Sequence, residues 1–550
     1  MRKLGLALVF ALLTSAQLQA NVSLKNGNFF IGYTDVIFVG GYEPKVERVY
    51  NSKTSFKGIF GHGWGTEIEG QLIISADGSL LINEYGGGAE NRFIPVGQKP
   101  EDIAKVITTL VTLAQSGGFN SPSYKDKLKS DIEFRNAEWE RWVRAGKLKR
   151  VEIKVGTQFK SNKFSYQYIT KTAQNYIRVF DNGKQEVYNL DGRLVKVQEK
   201  SGNFISLTYK NGLLEKLIDN QNRKMFFSFN AKKLVEKIEL EGSGSSAYKY
   251  NPQDELISSK DMQGNAYTYA YSPDARHNLT EIGYSDGTKM LISYYGKDLY
   301  ENVKSIKDKD GSSTDYQYVF KNGKFQFIVT VTLKDKKGKA YANQSYEYWI
   351  AINSTGEEYT QKLIQIIDGD KTETTYHAEF GLPLSIKRQD EESKFEYDQK
   401  GRITYKETGS DITRLAYDQT VGKISKVSRK SKGTGKELGW STFAYDGKTG
   451  NLTSALNSQK QSVRLGYDRL GRIATMLDQD NRRIDFTYNA QSKPIEIKDA
   501  KKGSIKIKYG AKGEIQGVDS PLGPKVAMEV TTAFNNLLEI IRPAGVSLSL

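Results

Sequence analysis

The chain has 550 residues, with 33 tyrosines, 24 phenylalanines and 51 glycines against 11 prolines, a composition of strands and tight turns that excludes a disordered chain. Cysteine is absent, which excludes disulfides, thiolate metal sites, a cysteine nucleophile and a lipid anchor on cysteine; the only histidines are His62, His277 and His377, far apart in sequence. The formal net charge of +16 suits acidic partners on an exported protein, although lysine-rich faces also keep a large sheet soluble and guard its edges.

Residues 1–20, "MRKLGLALVFALLTSAQLQA", read as a signal peptide. Arg2 and Lys3 form the charged start, and residues 4–13 form an apolar core too short to span a bilayer. Cleavage is expected after Ala20, with Ala16 as the alternative. The expectation is an exported protein, periplasmic, surface-held or secreted, without a transmembrane anchor. Residues 21–97 carry strand patterning and form the amino-terminal β domain.

Residues 98–148 read as a helical hairpin. Pro100 suits a first helical turn, with Glu101 and Asp102 near the positive helix end, and Ile103, Ile107, Leu110 and Ala114 share a face. Ser121 and Pro122 open a second helix, whose stripe is Tyr124, Leu128, Ile132, Trp139, Trp142 and Val143. Trp139 and Trp142 suit a docking surface, but burial of the stripe against the sheet is the commoner use of such a face.

From residue 149 a period emerges. Aromatic residues recur about 21 residues apart at Tyr188, Tyr209, Phe229, Tyr250 and Tyr271, and again at Tyr376, Tyr397, Tyr417, Tyr445, Tyr467, Tyr488 and Tyr509. In "RIDFTY" (483–488) Ile484, Phe486 and Tyr488 alternate with Asp485 and Thr487; in "SIKIKY" (504–509) Ile505, Ile507 and Tyr509 alternate with lysines. Such alternation marks half-buried strands. The turns "YNLDGR" (188–193), "YDQKGR" (397–402) and "YDRLGR" (467–472) supply Asp191, Gly192 and Arg193, then Asp398, Gly401 and Arg402, then Asp468, Gly471 and Arg472. One period is strand, turn, strand, turn, the second turn being "DNQNR" (219–223) or "DQDNR" (478–482). Side-by-side hairpins are expected to bring the tyrosine rings close to one another in a row, within a mainly β, curled antiparallel sheet. The array falls into residues 149–295 and 376–520, with an irregular, longer-stranded section at 296–375 and a terminal segment at 521–550.

These phased units resemble the YD repeats of the Rhs family, shared with the teneurins. The resemblance implies an antiparallel β-spiral, a partial or open shell. Within residues 26–95 the elements "NGNFF" (26–30), "RVYNS" (48–52), "GHGWG" (61–65) and "RF" (92–93) resemble the domain that precedes the repeats in Rhs proteins, a module that could plug the array. The family's end motif and carboxy-terminal toxin are not found after Tyr509, so self-cleavage and an enclosed toxin are not carried over.

No catalytic constellation emerges. "DKDGSSTD" (308–315) has glycine too early for a calcium loop and Val319 where a bidentate glutamate belongs. "GHGWG" reads as a tight turn with a stacked His62–Trp64 pair. Nothing selects two carboxylates as a glycosidase pair. No catalytic, cofactor or metal residue is assigned. No run of five basic residues appears, so no specific nucleic-acid partner is expected. The reading is a non-enzymatic exported scaffold or adhesin-like protein presenting a curved basic surface to an anionic glycan of the cell envelope or to a protein. The alternatives are an open shell carrying a separately encoded effector and a polysaccharide-active enzyme.

Overall fold

The computed structural model describes residues 21–519, apart from 39–42, 85–88, 120, 162–166, 181, 201, 275, 354–357, 490–492, 501–502 and 511–514. The expected signal peptide, residues 1–20, and the 521–550 segment lie outside the described residues.

One antiparallel sheet runs through most of the chain. From Gln71–Ile74 to Ile515–Asp519 each strand pairs with the next in sequence, with only the helices interposed. A meander of this kind needs only hairpin turns, which is what the glycine-rich and Asx-rich punctuation provides. The first strand also touches the sheet further on, through a single bridge between Gln71 and Arg193 and a hydrogen bond from Leu72 N to Gly192 O (2.8 Å). That contact closes the opening strands on themselves around Leu80, Ile82, Phe93, Phe159, Ile169, Tyr176 and Tyr188, all buried. Beyond it the sheet continues as an open spiral: among the described residues no ladder joins Ile515–Asp519 to another edge.

Residues 296–375 contribute longer strands to the same sheet, Ser313–Asn322, Gln326–Lys334, Ala340–Ile352, Glu358–Ile367 and Asp370–Tyr376, with unbroken pairing on both sides.

A separate small sheet holds Asn21–Ser23, Asn28–Ile37, Lys45–Asn51 and Trp64–Gly65. It meets the long sheet through isolated backbone contacts: Val235 N to Ile59 O (2.8 Å), Met262 N to Asp35 O (2.9 Å) and Val303 N to Gly27 O (3.0 Å). The strands at 71–95, grouped by sequence with this amino-terminal module, are instead the first strands of the long sheet.

Three helices leave the hairpin formed by Ala89–Pro95 and Gln158–Ser161: α1 (Pro100–Ser116), α2 (Pro122–Ser130) and α3 (Ile132–Arg144). The expected second helix is broken at Asp131, whose carboxylate accepts the Phe134 amide at 2.8 Å and so caps α3. Leu110 and Leu128 are fully buried, and Trp139 and Trp142 pack against their cluster. The bundle is tied to the sheet where Asn136 accepts the Ala76 amide (2.9 Å) and Arg135 approaches Asp77 (3.5 Å).

Candidate functional site

The repeat is a single hydrogen-bonded device. At 467–472 the Asp468 carboxylate accepts the amides of Leu470 (2.9 Å) and Arg472 (3.0 Å) and the Arg472 Nε (2.7 Å), while Gly471 takes φ +76°. Burial works against the Asp468 charge, but the Arg472 amide and guanidinium outweigh it and hold the carboxyl below its ordinary range. The Arg472 guanidinium then lies 4.6 Å from the Tyr488 ring, and the Tyr488 hydroxyl donates to Ile473 O at 2.7 Å. Residues 397–402 repeat the geometry: Asp398 accepts the Arg402 amide (3.0 Å), Arg402 lies 4.2 Å from the Tyr417 ring, and Tyr417 donates to Ile403 O (2.7 Å).

In the 188–193 turn Asn189, not Asp191, holds the Asp468 position and accepts the Arg193 amide at 2.9 Å; Asp191 is exposed. The residue after the tyrosine was the better signal. Arg193 reaches the Tyr209 ring at 5.5 Å. In the second turns Asp219 and Asp478 play the aspartate role, and Asn222 and Asn481 take the left-handed conformation that glycine takes elsewhere.

Each register aromatic, from Tyr188 to Tyr509, stands at a break in strand register. The hydroxyls of Tyr209, Tyr250, Tyr271, Tyr397, Tyr445, Tyr467 and Tyr509 donate to Leu194, Val235, Leu256, Pro383, Ile424, Leu452 and Pro494 carbonyls at 2.6–2.9 Å. Tyr294 does the same to Leu279 O (3.0 Å) at its own register break and extends the row past the sequence reading. Tyr188 donates instead to Glu186 (2.8 Å), Phe229 has no hydroxyl, and Tyr376 stands at the break opposite Pro383. Burial pushes the phenols of Tyr209, Tyr397, Tyr417 and Tyr445 up to about 12, so they remain donors at neutral pH. The expected ring-on-ring row is not what forms: among the described residues no two register rings are in contact, and cations and carbonyls link them instead.

The second built region is the seam between the amino-terminal module and the array. Arg48 is fully buried; its Nε lies 2.7 Å from Asp35 Oδ2, and its Nη2 donates to Ser259 Oγ (3.0 Å) and the Tyr269 hydroxyl (3.1 Å). Tyr248 donates to the same Asp35 carboxylate at 2.9 Å, and the guanidinium lies 4.4 Å from the Trp64 ring. Burial opposes the Arg48 charge, but Asp35 and Tyr269 outweigh it and raise the guanidinium well above its ordinary range. Trp64 Nε1 donates to the Tyr271 hydroxyl (2.9 Å), and Tyr50 accepts the Leu279 amide (2.9 Å) while donating to His277 O (3.0 Å). The expected His62–Trp64 pair is replaced: His62 stacks on His277 at 3.8 Å, and Trp64 packs on Tyr50 and Tyr269, each at 5.3 Å. Sequence spacing gave no signal for these partners, which lie roughly 200 residues away.

A cavity of about 260 Å³ lies along the same seam, between Phe56, Ile59, Ile68 and Glu69 on one side and Arg193 and Tyr209 on the other. Glu69 accepts the Ile59 (2.7 Å) and Thr66 (3.2 Å) amides, and burial pushes its carboxyl up to about 8. The 308–315 segment is a turn in which Asp310 accepts the Ser312 amide (2.8 Å). Among the described residues no group of three or more His, Asp or Glu side chains is placed to hold a metal.

Residues 250–289 match the RHS Repeat family and residues 409–549 the Teneurin YD-shell family, on the same strands whose turns and tyrosines are described above. The chain is an Rhs-type YD-repeat protein. Residues 19–92 match a domain of unknown function, DUF6531, over the module that supplies Asp35, Arg48 and Trp64. No curated protein matches the YD-repeat chain. Among solved structures it is similar to a TcdB2-TccC3 crystal structure (11% identity, TM-score 0.37, 92% of this chain and 31% of that one). It is also similar to the Tc holotoxin pore of Photorhabdus luminescens (11% identity, TM-score 0.35, 89% of this chain and 30% of that one). The YD-repeat chain thus spans less than a third of the length of these structures. It is a repeat-based shell or scaffold protein, and no helix among the described residues is long and apolar enough to cross a membrane.

Proposed function

We propose that this YD-repeat protein is an exported, non-enzymatic scaffold whose sheet presents a basic face to an anionic glycan of the cell envelope. The observation that carries this reading is how the charges are used. The aspartates of the turns, among them Asp219, Asp398, Asp468 and Asp478, are taken up by amides and, in most, an arginine of their own turns. The solvent-side strand positions instead expose cations such as Lys249, Lys260, Lys394, Arg414, Arg464 and Lys506. A surface of that kind attracts polyanions, and the attraction falls as salt screens it. The test is retention of the full-length protein on immobilised lipopolysaccharide. Binding at low salt that is lost near 0.5 M salt, roughly a 4 Å screening length, is expected, and no retention at low salt defeats the reading.

The carrier reading is favoured by a different observation. The amino-terminal module packs on the first array, against Tyr248, Tyr267, Tyr269 and Tyr271, whereas on the second Phe443, Tyr467, Ile473, Phe486 and Ile497 are partly buried around their own cluster. A half-covered apolar face can hold a separately encoded polypeptide. One defined protein co-purifying with the native exported chain is the expected result for a carrier; elution alone counts against it. The polysaccharide-active reading requires turnover on a glycan panel that a single carboxylate substitution abolishes.

A further inference from the structure

We propose that the His62–His277 stack is an acid-operated latch between the amino-terminal module and the repeat sheet. Two of the three histidines in the chain meet face to face, ring centroids 3.8 Å apart and planes 6° from parallel, although 215 positions separate them. His62 belongs to the module's Gly61–His62 strand, and His277 stands in the turn between Ala266–Tyr271 and Leu279–Tyr284.

The charged groups around the stack are largely engaged with one another. Glu255 lies 2.8 Å from His277 Nδ1 and is the hydrogen-bond partner of that ring. Asp254 is engaged by Lys57 (2.5 Å) and Lys232 (2.6 Å). Arg276 is engaged by Asp274 and by Glu301. A proton on His62 is therefore placed face to face with the His277 ring, with Lys57 nearby. Partial burial, His277 and Lys57 outweigh the opposing pull of Asp254 and Glu255 and hold His62 below the ordinary histidine value.

The stack is wired to the bonds that hold the seam. The His277 carbonyl accepts the Tyr50 hydroxyl, the Leu279 amide donates to it, and the His62 amide donates to Asp254 O at 3.3 Å. His277 is held at φ +56°, a conformation that non-glycine residues adopt when their surroundings impose it. Separation of the two rings would strain all three bonds and loosen the module from Tyr50 to Trp64.

The sign follows from linkage. His62 takes up a proton less readily when docked than when released, so docking is fully held above the ordinary histidine value near 6.5 and weakens as pH falls through it. This is independent of what the sheet binds.

The test is amide hydrogen exchange of the full-length protein at pH 7.5 and 5.5, corrected for the chemical exchange rate. Protection over residues 45–65 should fall at the lower pH, because the released module takes up a proton on His62 that the docked module resists. In a His62→Phe/His277→Phe variant, which keeps two stacked rings without titration, that pH-dependent loss should vanish. His62→Gln alone, which leaves the His277 ring beside Glu255, should remove most of it and serves if the double variant does not fold. Wild-type protection unchanged between the two pH values, or an equal loss in whichever variant folds, overturns the latch.

Discussion

The Tyr488 hydroxyl lies 2.7 Å from the carbonyl oxygen of Ile473, the residue that opens the preceding strand. Ile473 stands opposite Tyr467 at the preceding register break, whereas the break at Tyr488 itself lies in the ladder with Pro494–Asp499. A broken ladder leaves a carbonyl without its strand partner, and the phenol supplies the missing donor. The period in tyrosine is therefore a period in bulges. Tyr488→Phe keeps the ring over Arg472 and removes only that donor, so it should cost about 1 kcal/mol, read from urea unfolding of the full chain. An unchanged midpoint would mean that water satisfies Ile473 O equally well.

Phe229 provides the reciprocal experiment. It stands at the same register break as its fellows, between Ser228 and Phe229, but carries no hydroxyl. The corresponding acceptor, 15 residues earlier as for Tyr488, is the Leu214 carbonyl. Phe229→Tyr should therefore gain about 0.5–1.5 kcal/mol, seen as a higher unfolding midpoint, because it adds the bond that the other repeats already have. A loss of stability would show that the first array is packed too tightly at this position to admit the hydroxyl.

Arg48 and Asp35 form a fully desolvated pair inside the seam, and removal of one partner strands the other charge. Arg48→Met should cost about 3–5 kcal/mol, whereas Arg48→Met with Asp35→Leu should recover part of that loss. Thermal unfolding of both variants checks the difference; equal losses would place the energy in shape rather than in charge.

The repeat was legible in the sequence because it is local. Alternation at 484–488 and 505–509, glycine or asparagine at left-handed turn positions and aspartate after tyrosine all act within one hairpin. The 188–193 turn shows the limit of that logic. Asp191 matched the letter of the motif, while Asn189 occupied its place, because the residue directly after the tyrosine reaches the closing amide. What joins hairpins was less legible. The arginine of one turn and the tyrosine of the next repeat are adjacent only once the sheet is formed, so tyrosine-on-tyrosine contact was the natural but mistaken expectation. The seam was invisible for a stronger reason. Asp35, Arg48, Trp64 and His62 find Tyr248, Tyr269, Tyr271 and His277 through the fold alone, and no local spacing encodes those pairings.

Gly192 marks where the opening strands close on the sheet. Its φ is +80°, and a β-carbon there would stand 1.9 Å from the Leu72 carbonyl oxygen, the carbonyl of the residue whose amide bonds to Gly192 O. Gly471 takes a similar φ of +76° in an equivalent turn with open surroundings, the nearest atom being Asn451 Nδ2 at 4.0 Å. Gly192→Ala should destabilise by more than about 2 kcal/mol, because strain in φ and a backbone clash add, while Gly471→Ala should cost only the conformational part, about 1 kcal/mol. Unfolding midpoints of the two variants measure the difference directly; equal costs would mean that the Gln71–Arg193 bridge contributes nothing to closure.

The last expectation concerns acid. Asp77 is buried beneath the helices, where its carboxylate meets Arg92 at 2.5 Å and Arg135 at 3.5 Å and accepts the Ser79 amide at 3.0 Å. Burial works to raise its pKa, but Arg92 and Ser79 outweigh burial and hold it below the ordinary aspartate value. The folded chain therefore binds this proton less readily than the unfolded chain. The stability it contributes is present above the unfolded value near 4 and is lost as pH falls through the depressed folded value. Asp77→Asn should cost about 3 kcal/mol at pH 7, since it leaves Arg92 and Arg135 without their shared counter-charge. The gap between wild type and variant should narrow as pH falls below about 4, because the unfolded wild-type chain then takes up a proton that the folded carboxylate resists until lower pH. Thermal midpoints of both proteins from pH 7 to pH 2 check this. A gap that stays constant to pH 2 would show that Asp77 acts there as a hydrogen-bond acceptor for Ser79 rather than as a charge for the two arginines.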